Sequence, residues 1–70
     1  MRIRTMVEMG AVIRSARERA GLTQAALARR AGVSREWLIN VESGRTAAEF
    51  PRLLAVIEEL ELEVDVRARA

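Results

Sequence analysis

The stretch from Gly21 to Arg45 reads GLTQAALARRAGVSREWLINVESGR, and its punctuation decides the fold. Thr23 is a good N-cap, because its hydroxyl can accept from a backbone N–H in the first helical turn. Leu27 and Ala28 fall on the inner face of the short helix that follows, and Gly32 stops it. Only Val33 separates Gly32 from Ser34, a second good N-cap. The next helix runs to about Ser43, with Leu38 and Val41 inward and Gly44 closing it. Two short helices joined by a tight glycine-containing turn are therefore predicted.

Upstream, Thr5 followed by Glu8 reads as a capping box that opens a helix running to about Ala20. Met6, Met9, Ile13, Ala16 and Ala20 recur at helical spacing as an inward stripe, and Gly21 ends the helix. Downstream, Arg45 to Glu49 is a connector. Pro51 suits the first turn of a fourth helix, where its missing N–H does no harm. Leu53, Leu54, Ile57 and Leu60 supply that helix's apolar face. The period then changes from helical to alternating: Leu62, Val64, Val66 and Ala68 interleave with Glu63, Asp65, Arg67 and Arg69, a strand pattern. A lone strand leaves backbone groups unpaired. Its partner is either the stretch Arg2 to Arg4 or the same strand of a second chain, and the second chain is favoured.

Seventy residues make one domain with a marginal core. With no Cys there is no disulfide to reinforce it, so helix packing or oligomerisation must do so. With no His either, a zinc site would have to be built from acids alone, and no metal or cofactor is expected. The pI of about 11.0 reflects only a net charge of +2 in a chain with almost nothing to titrate between carboxylates and arginines. The distribution says more. Met1 to Ala47 carries nine Arg against four Glu, whereas Ala48 to Ala70 carries three Arg against six acids. A basic front suits a polyanion, and the acidic tail has another task.

Catalysis lacks its parts: Ser15 and Ser43 have no evident base, no Gly-rich phosphate loop is present, and Glu58, Glu59, Glu61 and Glu63 straddle a change of period. The chain is read as not an enzyme. No apolar run reaches membrane-span length and no signal-peptide core begins the chain, so a cytoplasmic location is expected.

The second helix of such a pair is thin enough to enter the major groove of double-stranded DNA, with its N-terminal residues at the base edges. Counted from Ser34, the base-reading candidates are Arg35, Glu36, Ile39 and Asn40. Arg35 suits guanine, Asn40 adenine and Glu36 the cytosine amine. Ile39 either touches a thymine methyl or packs inward. Arg29 and Arg30 read as solvated surface, and Trp37 as packing at the edge of the core.

Gly-Leu-Thr-Gln at 21–24, Leu27-Ala28, Ala31-Gly32-Val33-Ser34 and Glu42…Gly44-Arg45, with Ile13-Arg14 and Arg17 before them, resemble the lambda-repressor/Cro-like (XRE) helix-turn-helix family. The resemblance implies a mostly α, four-helix, lambda-repressor-like domain. It implies that Gln24 meets a phosphate beside the free N–H groups of a helix start, with Thr23 and Ser34 as further phosphate candidates at the two caps and Arg45 from the other side. It also implies a structural ion pair between Arg17 and Glu42.

The terminal Glu-Leu-Glu-Leu-Glu-Val is similar to the HipB-like antitoxins, in which terminal strands of two protomers pair, the dimer represses its own operon, and a HipA-type kinase toxin is bound. This chain departs from that pattern in lacking a Gly before the strand and in carrying a short arginine-bearing N-terminal segment. The expected layout is an N-terminal segment at 1–4, a helix-turn-helix domain at 5–60 and a C-terminal dimerisation strand at 61–70, with Leu62, Val64 and Val66 pairing in a homodimer on an inverted-repeat operator. The rival reading is a protein-interaction module whose main task is neutralising a toxin partner.

Overall fold

The computed structural model describes residues 2–45 and 47–69. Its order is α1 (Met6–Arg19), α2 (Gln24–Ala31), α3 (Arg35–Glu42) and α4 (Phe50–Glu59). Met1, Thr46 and Ala70, which belong to the predicted N-terminal segment, connector and tail, lie outside the described residues.

Three helix starts are fixed by side chains. The Thr5 hydroxyl accepts from the Glu8 N–H at 3.1 Å while Glu8 Oε1 accepts from the Thr5 N–H at 3.0 Å, a reciprocal capping box. Thr23 accepts from the Ala26 N–H and Ser34 from the Trp37 N–H, each at 3.0 Å. α4 starts without a side-chain cap but has Pro51 in its first turn.

The helix ends follow one scheme. At the end of α2, Gly32 takes φ 71°, so that the Val33 N–H donates to Ala28 O at 3.0 Å. At the end of α4 the same left-handed position is held by Glu61 at φ 57°, with the Leu62 N–H donating to Ile57 O at 3.0 Å and the Glu61 N–H to Glu58 O at 2.9 Å. The glycine that the sequence lacks before the tail is thus replaced by a residue held where a Cβ is strained.

α3 is the hub: α1 and α2 both pack on it, and α2 also packs on α4. Ile13, Leu27, Leu38, Val41 and Val56 are fully buried at the centre, joined by Ala28, Leu53 and Ile57. α1 crosses α3 closely at Gly10, where a Cβ would collide with the carbonyl oxygens of Val41 and Glu42.

Several expectations need correction. Ala20 is exposed and serves as the C-cap of α1 rather than as part of its inward stripe. On α4 the buried face is Leu53, Val56 and Ile57, with Leu60 packed beside it; Leu54, at 38% exposure, is one residue, or about 100°, off that face. Among the described residues there is no strand. The tail from residue 63 to 69 is irregular and exposed, because a ladder needs a second edge to donate to and accept from. Leu62, the first of the residues expected to pair with another chain, packs against its own core as the apolar residue that closes the α4 end. Val64 and Val66 are left at 44% and 87% exposure.

Candidate nucleic-acid interface

The N-termini of α2 and α3 sit side by side. Thr23, Gln24 and Ala25 from one and Arg35 from the other border a single shallow depression, with Arg17 beneath. The caps satisfy only the third N–H of each helix, so the N–H groups of Gln24, Ala25, Arg35 and Glu36 have no intrahelical acceptor. The Thr23 and Ser34 hydroxyls act as acceptors in their caps, and each keeps its O–H to donate outward. Two helix ends carrying partial positive charge therefore converge on one surface with the Arg35 guanidinium.

Along α3, Ser34, Arg35 and Glu36 are exposed, Asn40 is half-buried, and Arg45 is exposed just beyond the helix. Ile39 is half-buried without joining the residues packed against the core. Trp37 does pack there, so the helix turns one flank inward while its first turn faces solvent. Arg35 and Arg45 bracket α3 at opposite ends, roughly 12–15 Å apart along the axis at 1.5 Å per residue. Arg29 and Arg30 are exposed in the last turn of α2, on the far side of that helix from its start.

Behind this surface lies a buried polar network. Arg17 Nε donates to Glu42 Oε2 at 2.7 Å and Nη2 to Oε1 at 3.0 Å, a two-pronged pair whose side chains are 12% and 3% exposed. Arg17 Nη1 also donates to Leu22 O at 2.9 Å, tying down the turn between α1 and α2. The hydrogen bond to Glu42 raises the Arg17 pKa above its ordinary value; burial opposes the rise, and the charges of Glu42 and Glu18 add to it.

Gln24 belongs to this network, since its Nε2 donates to Glu42 Oε1 at 3.1 Å. One carboxylate thus fixes α1, the start of α2 and the end of α3 together. It also sets the orientation of the Gln24 amide, leaving its Oε1 and one N–H turned away from Glu42.

Two residues gain roles that sequence reasoning missed. The bond from Gln24 to Glu42 spans 18 positions and leaves no periodic trace. Gly10 did leave a signal, because a glycine inside a helical pattern weakens the helix and so marks a close approach.

Residues 8–70 match the family model described as a helix-turn-helix domain. Among curated proteins, the chain is 33% identical to an uncharacterised HTH-type transcriptional regulator, y4mF of Sinorhizobium fredii, over 96% of this chain and 88% of that one. Among solved structures, it is similar to the restriction-modification controller protein C.AhdI of Aeromonas hydrophila, at 29% identity and TM-score 0.79, covering 83% of this chain and 88% of that one. It shares its fold with a chain of the HipA–HipB–O2–O3 complex, at 18% identity and TM-score 0.87, over 100% of this chain and 99% of that one.

Proposed function

Since the chain belongs to the XRE-like helix-turn-helix family of transcriptional regulators, we propose that it is a homodimeric, sequence-specific repressor that acts on an inverted-repeat operator upstream of its own gene. The observation that carries this reading is the convergence of two helix N-termini and Arg35 on one exposed surface. Free N–H groups and hydroxyls there are suited to phosphate oxygens, which orient the protein without reading sequence. Thr23, Gln24 and Ser34 take that role at the helix starts and Arg45 takes it from beyond α3.

Sequence is read by the first turns of α3. Arg35 makes the two-pronged contact to guanine, Glu36 accepts from a cytosine amine, and Asn40 pairs with adenine. Glu36 fits only a base edge, because a carboxylate repels phosphate. Ile39, half-buried beside them, offers its exposed part to a thymine methyl. Dimerisation runs through the tail, where Val64 and Val66 are uncovered, and places two α3 helices about 34 Å apart, one turn of DNA.

The antitoxin reading extends this. The HipA–HipB–O2–O3 complex unites a chain of this fold with HipA, and the acidic tail here, distinct from the basic front, is available for a HipA-type kinase partner. No helix among the described residues is long and apolar enough to cross a membrane.

The test is binding of the purified protein to DNA from upstream of its gene, against a scrambled duplex, at low and near-physiological salt. A specific repressor keeps its preference for the upstream DNA as salt rises. Equal loss on both duplexes leaves only the nonspecific phosphate contribution and favours the protein-interaction module instead.

A further inference from the structure

The two ends of the chain share one cleft. Arg2, Ile3 and Arg4 line it together with the tail from Glu63 onward, and Met9 and Val12 of α1 add apolar surface to it. Each end hangs from a fixed point: the Arg4 N–H donates to Glu8 Oε1 at 2.6 Å, and the Leu62 N–H donates to Ile57 O at 3.0 Å. Among the described residues no backbone hydrogen bond joins the two segments, and Arg2, Arg4 and Glu63 have no ion-pair partner. Ile3 and Val64 are 40% and 44% exposed. From this juxtaposition we propose that the N-terminal segment closes onto the tail of its own chain as a strap, with Ile3 against Val64 and with Arg2 and Arg4 against Glu63 and Asp65.

In extended segments alternate residues share a face, so Arg2 and Arg4 flank Ile3 as Glu63 and Asp65 flank Val64. Each block is symmetric about its apolar residue. With Ile3 opposite Val64, both arginines therefore meet acids whichever way the segments run. Sliding Ile3 to Val66 sets one arginine opposite Arg67, and sliding it to Ala68 sets both opposite Arg67 and Arg69. Like charges directly opposite oppose pairing, so these registers lose. Sliding the other way meets Leu62, whose N–H is already bonded and whose side chain is in the core. The present partner of Asp65, Arg67, is 83% exposed and holds it weakly. Closure removes Ile3, Val64 and the apolar lining of the cleft from water, which drives it. Glu58, Glu59 and Glu61 lie outside this contact, and the far edge of the tail and Val66 stay open to a second copy. Arg2 and Arg4 thus count toward the basic front, yet their charge is neutralised within the molecule and not by a polyanion.

Disulfide trapping tests this without background, because the chain has no cysteine. Directly facing residues of paired segments have Cα atoms about 4.5–5.5 Å apart, within disulfide range. In the full chain, Ile3→Cys/Val64→Cys therefore closes an intrachain disulfide about tenfold faster than Ile3→Cys/Ala68→Cys, whose second site lies about 13 Å further along the tail. Adding Arg2→Glu/Arg4→Glu slows closure about tenfold, and adding Glu63→Arg/Asp65→Arg as well restores it to within about threefold. Equal rates for the two cysteine pairs, a disulfide formed only between chains, or no rescue by the charge swap overturns the strap. The salt dependence of binding to the upstream duplex is the second readout. Each arginine on a phosphate adds about 0.9 to the slope of log affinity against log salt. Arg2→Gln/Arg4→Gln leaves that slope unchanged, because the tail holds both groups. A slope shallower by about 2 places them on phosphates and overturns the inference. A protein that binds no DNA refutes the repressor reading and leaves the strap to be decided by the disulfide rates.

Discussion

Replacing Glu42 by Ala removes the carboxylate on which three helices converge. Its side chain is 3% exposed and accepts from Arg17 Nε, Arg17 Nη2 and Gln24 Nε2 at 2.7, 3.0 and 3.1 Å. Truncation strands the Arg17 guanidinium, itself 12% exposed, in a site built for a partner. Breaking a buried pair by removing one member costs about 3–5 kcal/mol. The low end applies, because Arg17 keeps its bond to Leu22 O and a little solvent contact. Losing the Gln24 hydrogen bond adds about 1 kcal/mol. A domain of this size has roughly 4–10 kcal/mol in total, so a loss of about 4 leaves it close to unfolding. Urea denaturation followed by the fluorescence of Trp37, the only tryptophan, reads this directly. With m near 1 kcal/mol/M, the midpoint falls by about 3–4 M. The double variant Arg17→Met/Glu42→Leu removes both charges and loses less than Glu42→Ala alone. A midpoint shift under about 1 M for Glu42→Ala, or a double variant as damaged as the two singles together, would falsify the reasoning.

Three further outcomes follow from single positions. Gly10→Ala drives a Cβ into the Val41 and Glu42 carbonyls, so despite alanine's better helix propensity it lowers stability by about 1–3 kcal/mol; a melting temperature equal to the parent's would remove the close crossing of α1 and α3. Glu61→Gly relieves the left-handed backbone at φ 57° and raises stability by up to about 1 kcal/mol, seen as a higher melting temperature, whereas a fall would mean that the Glu61 side chain contributes more than its backbone loses. Arg35→Ala weakens operator binding by about 1–3 kcal/mol and relaxes preference at one base pair, while Arg45→Ala weakens all sequences alike and flattens the salt dependence; uniform loss from Arg35→Ala in a panel of single-base operator variants would take it out of the base-reading set.

What was legible in the sequence was local. Thr5, Thr23 and Ser34 announce helix starts because a cap acts within three residues, and Gly21, Gly32 and Gly44 announce ends because a left-handed residue is needed where the chain turns. The base-reading candidates could be counted from Ser34 for the same reason. The exposed apolar position of Leu54 was misjudged because five large apolar residues between positions 53 and 60 admit more than one face, and only the packing of α2 against α4 selects Leu53, Val56 and Ile57. The Gln24–Glu42 bond had no local signature at all. It arises because α2 and α3 bring the start of one helix to the end of the other.

The tail illustrates the same boundary most sharply. Alternation from Leu62 to Arg69 is a strand pattern, yet in a single chain it yields none, since hydrogen bonding in a ladder is a property of two edges and alternation is a property of one. The helix signal needs no partner, because its donors and acceptors lie four residues apart in the same chain. Leu62 marks the division. It fits the alternating pattern equally well, but the Leu62 N–H already donates to Ile57 O and its side chain closes the end of α4 against the core. The exposed tail therefore begins at Glu63, directly after the residue that closes the end of α4. From that point to Arg69 every apolar side chain faces solvent, and the one ion pair described there, Arg67 with Asp65, lies within the exposed run itself.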